Sequence, residues 1–166
     1  MKNIKCPSCQ QLGQTDKGKY NYTESGLPNI WLLGVEIFKC TCGEKFAFIP
    51  CLDDLHKIIA IDLIEKEDQL SGSEIRFLRK HMGLRAKDFA KHIGVMNVTV
   101  SRWEREETIP PKPMDRLIRF FYATEMRLLD FASKIKVINF RKHIKGQKAS
   151  PINISIERIT SCVANA

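Results

Sequence analysis

The sequence has no run approaching the ~20 apolar residues that cross a bilayer. Its first residues, Met1-Lys2-Asn3-Ile4-Lys5-Cys6, lack the apolar core of a secretory signal, so the expectation is a cytoplasmic chain with no membrane partner. It has no glycine-rich phosphate loop, which removes the nucleotide-cradling motifs, and no internal repeat, which removes solenoids. Histidine is scarce, and His56, His81, His92 and His143 fall in no nucleophile-base pairing or open metal arrangement. These absences leave little on which to build an enzyme, and a non-catalytic protein is expected.

Cysteine and positive charge, by contrast, are present in a pattern. The six cysteines do not read as a disulfide framework in a reducing compartment, and four of them form two close pairs, which favours metal. Cys162, near the end, reads as unpaired. The net charge of +8 is unevenly distributed. The part before Leu70 carries 8 Lys+Arg against 10 Asp+Glu, a net −2, while the part after it carries 19 against 9, a net +10. A polyanion would be drawn to the second part and leave the first for other work.

Pattern divides the chain into a first region at 1–50, a connecting helix at 51–70, a mainly helical domain at 71–140 and a basic tail at 141–166. The first region is turn-rich and strand-like, with short apolar runs at Ile30-Trp31-Leu32-Leu33 and Val35-Glu36-Ile37-Phe38. So few residues build a poor core, and a bound metal supplies what the composition lacks. In the connecting helix Leu55, Ile58, Ile59, Leu63 and Ile64 form a stripe near the helical period. In the tail, Ile152, Ile154 and Ile156 alternate as in a strand that adds to a partner.

Cys6-Pro7-Ser8-Cys9 is a C-x-x-C, a spacing with which a tight turn aims two thiolates at one ion while backbone amides stabilise their charge. Cys40-Thr41-Cys42-Gly43 adds a C-x-C. The four thiolates of Cys6, Cys9, Cys40 and Cys42 suit a tetrahedral, structural Zn2+, closed to substrate. The C-x-C is one residue short of the usual knuckle. Either its turn is tighter, or Cys51 or His56 takes the place of Cys42.

Ser71-Gly72-Ser73-Glu74 is a capping box that opens a helix with Ile75, Leu78 and Met82 inward. Gly83 ends it. A second helix begins near Arg85, buries Phe89, Ala90 and Ile93, and stops at Gly94, where a third follows at once. There Val100 and Trp103, three apart, face the core, and Asn97, Val98, Thr99 and Arg102 are left outside. Such a helix enters the major groove, where Arg donates bidentately to guanine, Asn to adenine, and Val or Thr methyls touch thymine. Ser101, Arg85, Lys87 and Lys112 suit phosphate contacts, which set register without reading sequence. Trp103 and Glu104 read as structural. Beyond Ile109-Pro110-Pro111, a further helix presents Met114, Leu117, Ile118 and Phe121. Phe120, Tyr122, Leu128, Leu129 and Phe131 extend its apolar surface beyond one small core, and a homodimer would use the surplus.

The expected fold is therefore α+β, mainly α: a small zinc-ribbon-like β module followed by an all-α, Cro/lambda-repressor-like helix-turn-helix domain. The residues Cys6-x-x-Cys9, Tyr22-Thr23-Glu24-Ser25-Gly26-Leu27, Cys40-x-Cys42-Gly43-Glu44, Ile49-Pro50, Leu55-His56-Lys57-Ile58-Ile59-Ala60, Glu74-Ile75-Arg76-Phe77-Leu78-Arg79-Lys80 and Val100-Ser101-Arg102-Trp103-Glu104 resemble the MqsA-type (YgiT-type) zinc-finger and helix-turn-helix antitoxin family. The resemblance runs from about Lys5 to Ala123. It implies an N-terminal module that binds zinc and a toxin protein, and a C-terminal module that dimerises on double-stranded operator DNA and represses its own genes. By the same resemblance Arg102 matches a base-reading arginine, and the family's asparagine falls nearer Val98 than Asn97. The C-x-C and the basic tail depart from the family.

Overall fold

The structure is a computed structural model and describes residues 3–127 and 151–163, with side chains up to Ile159. It divides into two compact units. The first comprises the residues up to Ile58 together with those from Pro151 on, and the second starts at Ile59.

In the first unit, β1 (Asn3–Lys5), β2 (Leu12–Asn21), β3 (Ile30–Lys39) and β4 (Lys45–Phe48) form an antiparallel meander in the order β1-β2-β3-β4. The two apolar runs expected around Gly34 are one strand. They are out of phase by one residue, and a bulge resolves the mismatch: Gly18 pairs with Val35 and Lys19 with Leu33, so Gly34 has no partner. The extra residue keeps Ile30, Leu32, Val35 and Ile37 on one face, all buried. On the other face the Phe38 and Phe46 rings stack at 4.7 Å, and Phe46 meets Phe48 edge-on at 5.3 Å. A 3-10 turn at Thr23–Ser25 joins β2 to β3.

Residues 141–166, expected as a basic tail, contribute regular structure to this unit. Ile152–Ser155 form β5, parallel to β3, and Ile156–Val163 form a helix packed on both strands. The alternating isoleucines thus find their strand partner within the same chain, where Ile154 and Ile159 are fully buried. Residues 141–150 and the side chain of Cys162 lie outside the described residues.

The division between units falls within α1 (Leu52–Glu65), whose Leu55, Ile58, Ile59, Leu63 and Ile64 are all buried. In the second unit follow α2 (Gly72–His81), α3 (Ala86–His92), α4 (Asn97–Glu104) and α5 (Lys112–Glu125); the terminal helix Ile156–Val163 is α6. The capping box at the start of α2 is complete: Ser71 Oγ accepts from the Glu74 N–H at 3.3 Å and Glu74 Oε2 accepts from the Ser71 N–H at 2.7 Å. Ile75, Leu78, Phe89, Ala90, Ile93, Val100 and Trp103 make the core.

On α5 the apolar register differs from the expected one. Its buried positions are Asp115, Ile118, Arg119, Tyr122 and Ala123, so Tyr122 belongs to the core and Leu117 stands outside with Phe120. Two polar interactions turn the helix this way. Tyr122 hydroxyl pairs with His81 Nδ1 at 2.7 Å, and Arg119 is buried against Asp115 at 2.8 Å. Leu128, Leu129 and Phe131 lie outside the described residues. Among the described residues no helix is long and apolar enough to cross a membrane.

Candidate metal centre and candidate nucleic-acid interface

The two cysteine pairs sit in the turns of two neighbouring hairpins. Between β1 and β2, the Cys6 N–H donates to Gln11 O and the Gln10 N–H to Cys6 O, closing a tight loop around Cys9. Between β3 and β4, the Cys40 N–H donates to Glu44 O and the Gly43 N–H to Cys40 O, with Gly43 at φ +94°. This left-handed glycine is the tighter turn that lets a C-x-C aim both sulfurs the same way. Because Gln14 pairs with Lys39, the two turns lie at the same end of the sheet. Ser8 Oγ donates to Glu44 Oε2 at 2.8 Å and Thr41 Oγ1 to Gln11 Oε1 at 3.1 Å, tying one turn to the other.

The sulfurs of Cys6, Cys9, Cys40 and Cys42 all lie within 4.8 Å of one another. The closest pairs are Cys9–Cys40 at 3.5 Å and Cys6–Cys42 at 3.7 Å. A tetrahedron with metal–sulfur bonds of ~2.3 Å has sulfur–sulfur edges of about 3.8 Å, so the cluster has the size of a four-thiolate cation site. Backbone N–H groups of Gln11, Cys42 and Glu44 hydrogen-bond to Cys9, Cys40 and Cys42, each favouring the thiolate. The Cys42 amide, above all, lowers the Cys40 thiol to about 6. Although the Gln11 amide acts to lower Cys9, the hydrogen bond shared with Cys40 and desolvation push it up to about 12. Four thiols packed this closely cannot all ionise by themselves; a dication would hold all four as thiolates.

Neither alternative ligand joins the group. Cys51 is exposed at φ +50°, at the start of α1. His56 Nε2 is 3.0 Å from the Tyr22 hydroxyl, and burial lowers its pKa.

In the second unit, α3 and α4 are joined by a sharp corner. The Gly94 N–H donates to Lys91 O and the Val95 N–H to Ala90 O, closing α3 in a left-handed glycine turn. From this corner α4 is held tightly. Val100 and Trp103 are buried, Gly72 lies against the Trp103 carbonyl, and Arg79 grips Glu104 through two contacts of 2.6 and 2.9 Å. This pair, about one tenth exposed, anchors the C-terminal end of α4 to α2.

The expected contact residues divide by exposure. Val98 and Arg102, one turn apart and opposite the buried pair, are exposed, as is Asn97; Thr99 and Ser101 are half-buried. Lys87 and Lys112 are exposed. Arg85, at the N-cap of α3, is exposed and paired with Asp88 at 2.7 Å, which raises the pKa of the arginine and lowers that of the carboxylate. Met96, at the N-cap of α4, carries no expected role from the sequence although it is 71% exposed, the highest value for a large apolar side chain among the described residues. Its signal was a methionine where Ser, Thr, Asp or Asn is the usual cap.

A helix pair with a glycine corner, a buried α4 inner face and a solvent-exposed outer face defines a helix-turn-helix domain. Residues 75–121 match the family described as helix-turn-helix. The chain is also similar to Repressor protein C2 of Salmonella phage P22, with 48% identity over 42 residues. That stretch is 25% of this chain, which spans 19% of the repressor's length. No solved structure matches the chain significantly.

Proposed function

We propose that the chain is a sequence-specific, double-stranded-DNA-binding transcriptional repressor whose N-terminal unit is built on a structural Zn2+ held by Cys6, Cys9, Cys40 and Cys42. The observation that carries the DNA reading is a rigidly anchored α4 whose outward residues, Asn97, Val98 and Arg102, have no core to serve. Similarity of one segment to a phage repressor supports it.

In this reading α4 lies in the major groove. Arg102 donates to guanine, Asn97 to adenine, and the methyl groups of Val98 and Thr99 touch thymine, with exposed Met96 adding apolar surface at the helix start. Ser101, Arg85, Lys87 and Lys112 meet phosphates. Leu117 at 36% and Phe120 at 47% exposure give α5 an apolar edge suited to a homodimer, which would place two α4 helices on half-sites one helical turn apart. At the cysteine cluster Cys6, Cys9, Cys40 and Cys42 would hold the metal, which would cross-link the two hairpins. Its four protein ligands leave no place for substrate, consistent with a non-enzymatic role.

The finer reading is the antitoxin of a type II toxin-antitoxin pair, repressing its own operon. Its support is the motif resemblance from Lys5 to Ala123 and the two-unit layout. A co-transcribed small toxic reading frame whose growth arrest this chain relieves would establish it; with no such neighbour, a zinc-containing repressor without a toxin stands instead.

The DNA reading is tested by binding to the protein's own promoter over a salt series. Arg102→Ala should cost about 1–3 kcal/mol on the specific site and flatten discrimination. Lys87→Ala should weaken binding to all sequences and make the logarithmic salt slope shallower by about one. Equal losses for both variants on specific and random DNA would refute the assignment.

A further inference from the structure

β3 has two edges, and they are filled differently. One is paired with β2 along its length, from Trp31 to Lys39. On the other, β4 pairs only with Glu36–Lys39, leaving the amides and carbonyls of Ile30–Leu33 to another strand. β5 fills that gap in parallel, Ile30 opposite Ile152 and Leu32 opposite Ile154, with the Ile152 N–H donating to Asn29 O at 2.9 Å.

The gap is shaped for what enters it. Gly34, the bulge between the β4-paired and β5-paired halves, has φ +75°, and a side chain there would begin 3.3 Å from Ile156 Cγ2. Glycine therefore both turns the strand and clears the path by which the segment leaves the edge and enters α6. Ser155 Oγ accepts from the Glu157 N–H at 3.3 Å and starts that helix. Ile154 and Ile159 are the fully buried anchors, while Asn153 and Glu157 are exposed.

This segment is joined to the sheet unlike any other strand. The antiparallel strands are sequential neighbours, whereas β5 meets β3 across 122 positions, counting from Ile30 to Ile152. Its ladder is four pairs long and parallel, the weaker geometry per residue, against eight pairs between β2 and β3. Strand addition to a sheet edge, with alternate side chains in pockets, is one way in which folded domains recognise extended peptides.

We propose that the edge of β3 over Ile30–Leu33 is a peptide-acceptor site of the cysteine module, and that Pro151–Val163 is its displaceable intramolecular ligand. The ligand class is an extended segment with branched aliphatic residues at alternate positions, running parallel to β3 and continuing into an amphipathic helix. Being covalently attached, the resident segment competes at an effective concentration on the order of mM, so only a tighter or more abundant strand displaces it.

The full-length chain carrying Ile154→Asp tests this, with a fluorescein-labelled synthetic peptide of residues 151–163 as probe. Amide hydrogen exchange should show β5 unprotected in the variant while β2 and β3 keep their protection. By fluorescence polarisation, the peptide should bind the variant at least tenfold more tightly than the wild-type chain, whose site is already filled, and the same peptide with Ile154→Asp should not bind. Loss of β2–β3 protection in the variant would overturn the proposal, because the segment would then be part of the obligatory core. So would continued protection of β5, absence of peptide binding to the folded variant, or equal binding to both chains.

Discussion

The two units face the same shortage of core and meet it by different chemistry. In the first, a five-stranded sheet carries the core, and one end of it is gathered by four thiols within 4.8 Å of one another. In the described residues of the second, buried polar contacts close the gaps between short helices. Arg119 donates to Asp115 and to the carbonyls of Ile64 at 3.0 Å, Lys66 at 2.6 Å and Asp68 at 2.7 Å. Asp115 in turn accepts from the Leu70 N–H at 2.7 Å. One ion pair thus satisfies the open carbonyls at the end of α1 and fixes the following segment to α5, a task for which Arg has enough donors and Lys does not. Under the proposed function, a cross-link by metal and one by buried charge are alternatives, and they fail under different conditions.

Metal removal is the largest lever on this contrast. Structural zinc in small modules supplies an apparent ~10–16 kcal/mol of folding free energy. A strong chelator, or Cys9→Ser, should therefore abolish amide protection in β1–β4, while the amides of α2–α4 stay protected in the same sample. Simultaneous loss in both would show that the helical unit also depends on the cysteine cluster.

Next in size is Arg119→Ala. It strands the Asp115 carboxylate, fully buried, beside uncapped carbonyls, and loss of one partner of a buried pair costs about 3–5 kcal/mol. Urea unfolding followed by helical circular dichroism should register this with zinc content unchanged; a loss under about 1 kcal/mol would mean that water replaces the clamp.

Gly72→Ala sharpens the picture at α4. A Cβ there would fall 2.1 Å from the Trp103 carbonyl oxygen, so α2 and α4 must separate. Overpacking of this kind costs about 1–3 kcal/mol, and under the proposed function operator affinity should fall with it. A stable variant with unaltered DNA binding would show that α4 tolerates the shift.

The smallest expected effect is a pH dependence confined to the first unit. Burial holds the His56 pKa below 6.5, so below that pH the unfolded chain binds the proton more readily than the folded one. Stability contributed by neutral His56 is thus present above 6.5 and falls as the pH drops toward the folded pKa. Protons also compete for the thiolates, so the measurement is the difference between wild type and His56→Gln, in melts from pH 7.5 to 5.5 with zinc in excess. The wild type should lose more than the variant; identical slopes would remove His56 from the account.

Features determined within a turn or two of chain were legible in the sequence. Ser71 and Glu74 announce a capping box because both partners are three residues apart, and the spacing of Phe89, Ala90, Val100 and Trp103 gives the buried side of two helices by periodicity alone. The cysteine pairs gave the chemistry of the cluster by spacing. Spacing does not choose between Cys42, Cys51 and His56 as the fourth member of the cluster; the pairing of β2 with β3, which brings two turns to one end of the sheet, places the Cys42 sulfur beside the other three. Tertiary structure likewise decided that Tyr122 faces His81, that Arg119 rather than Leu117 turns inward, and that the isoleucines after Pro151 complete the sheet begun by the first residues. These outcomes depend on contacts across 31 to 122 positions, and a local window carries periodicity and caps but not which distant buried group will satisfy which.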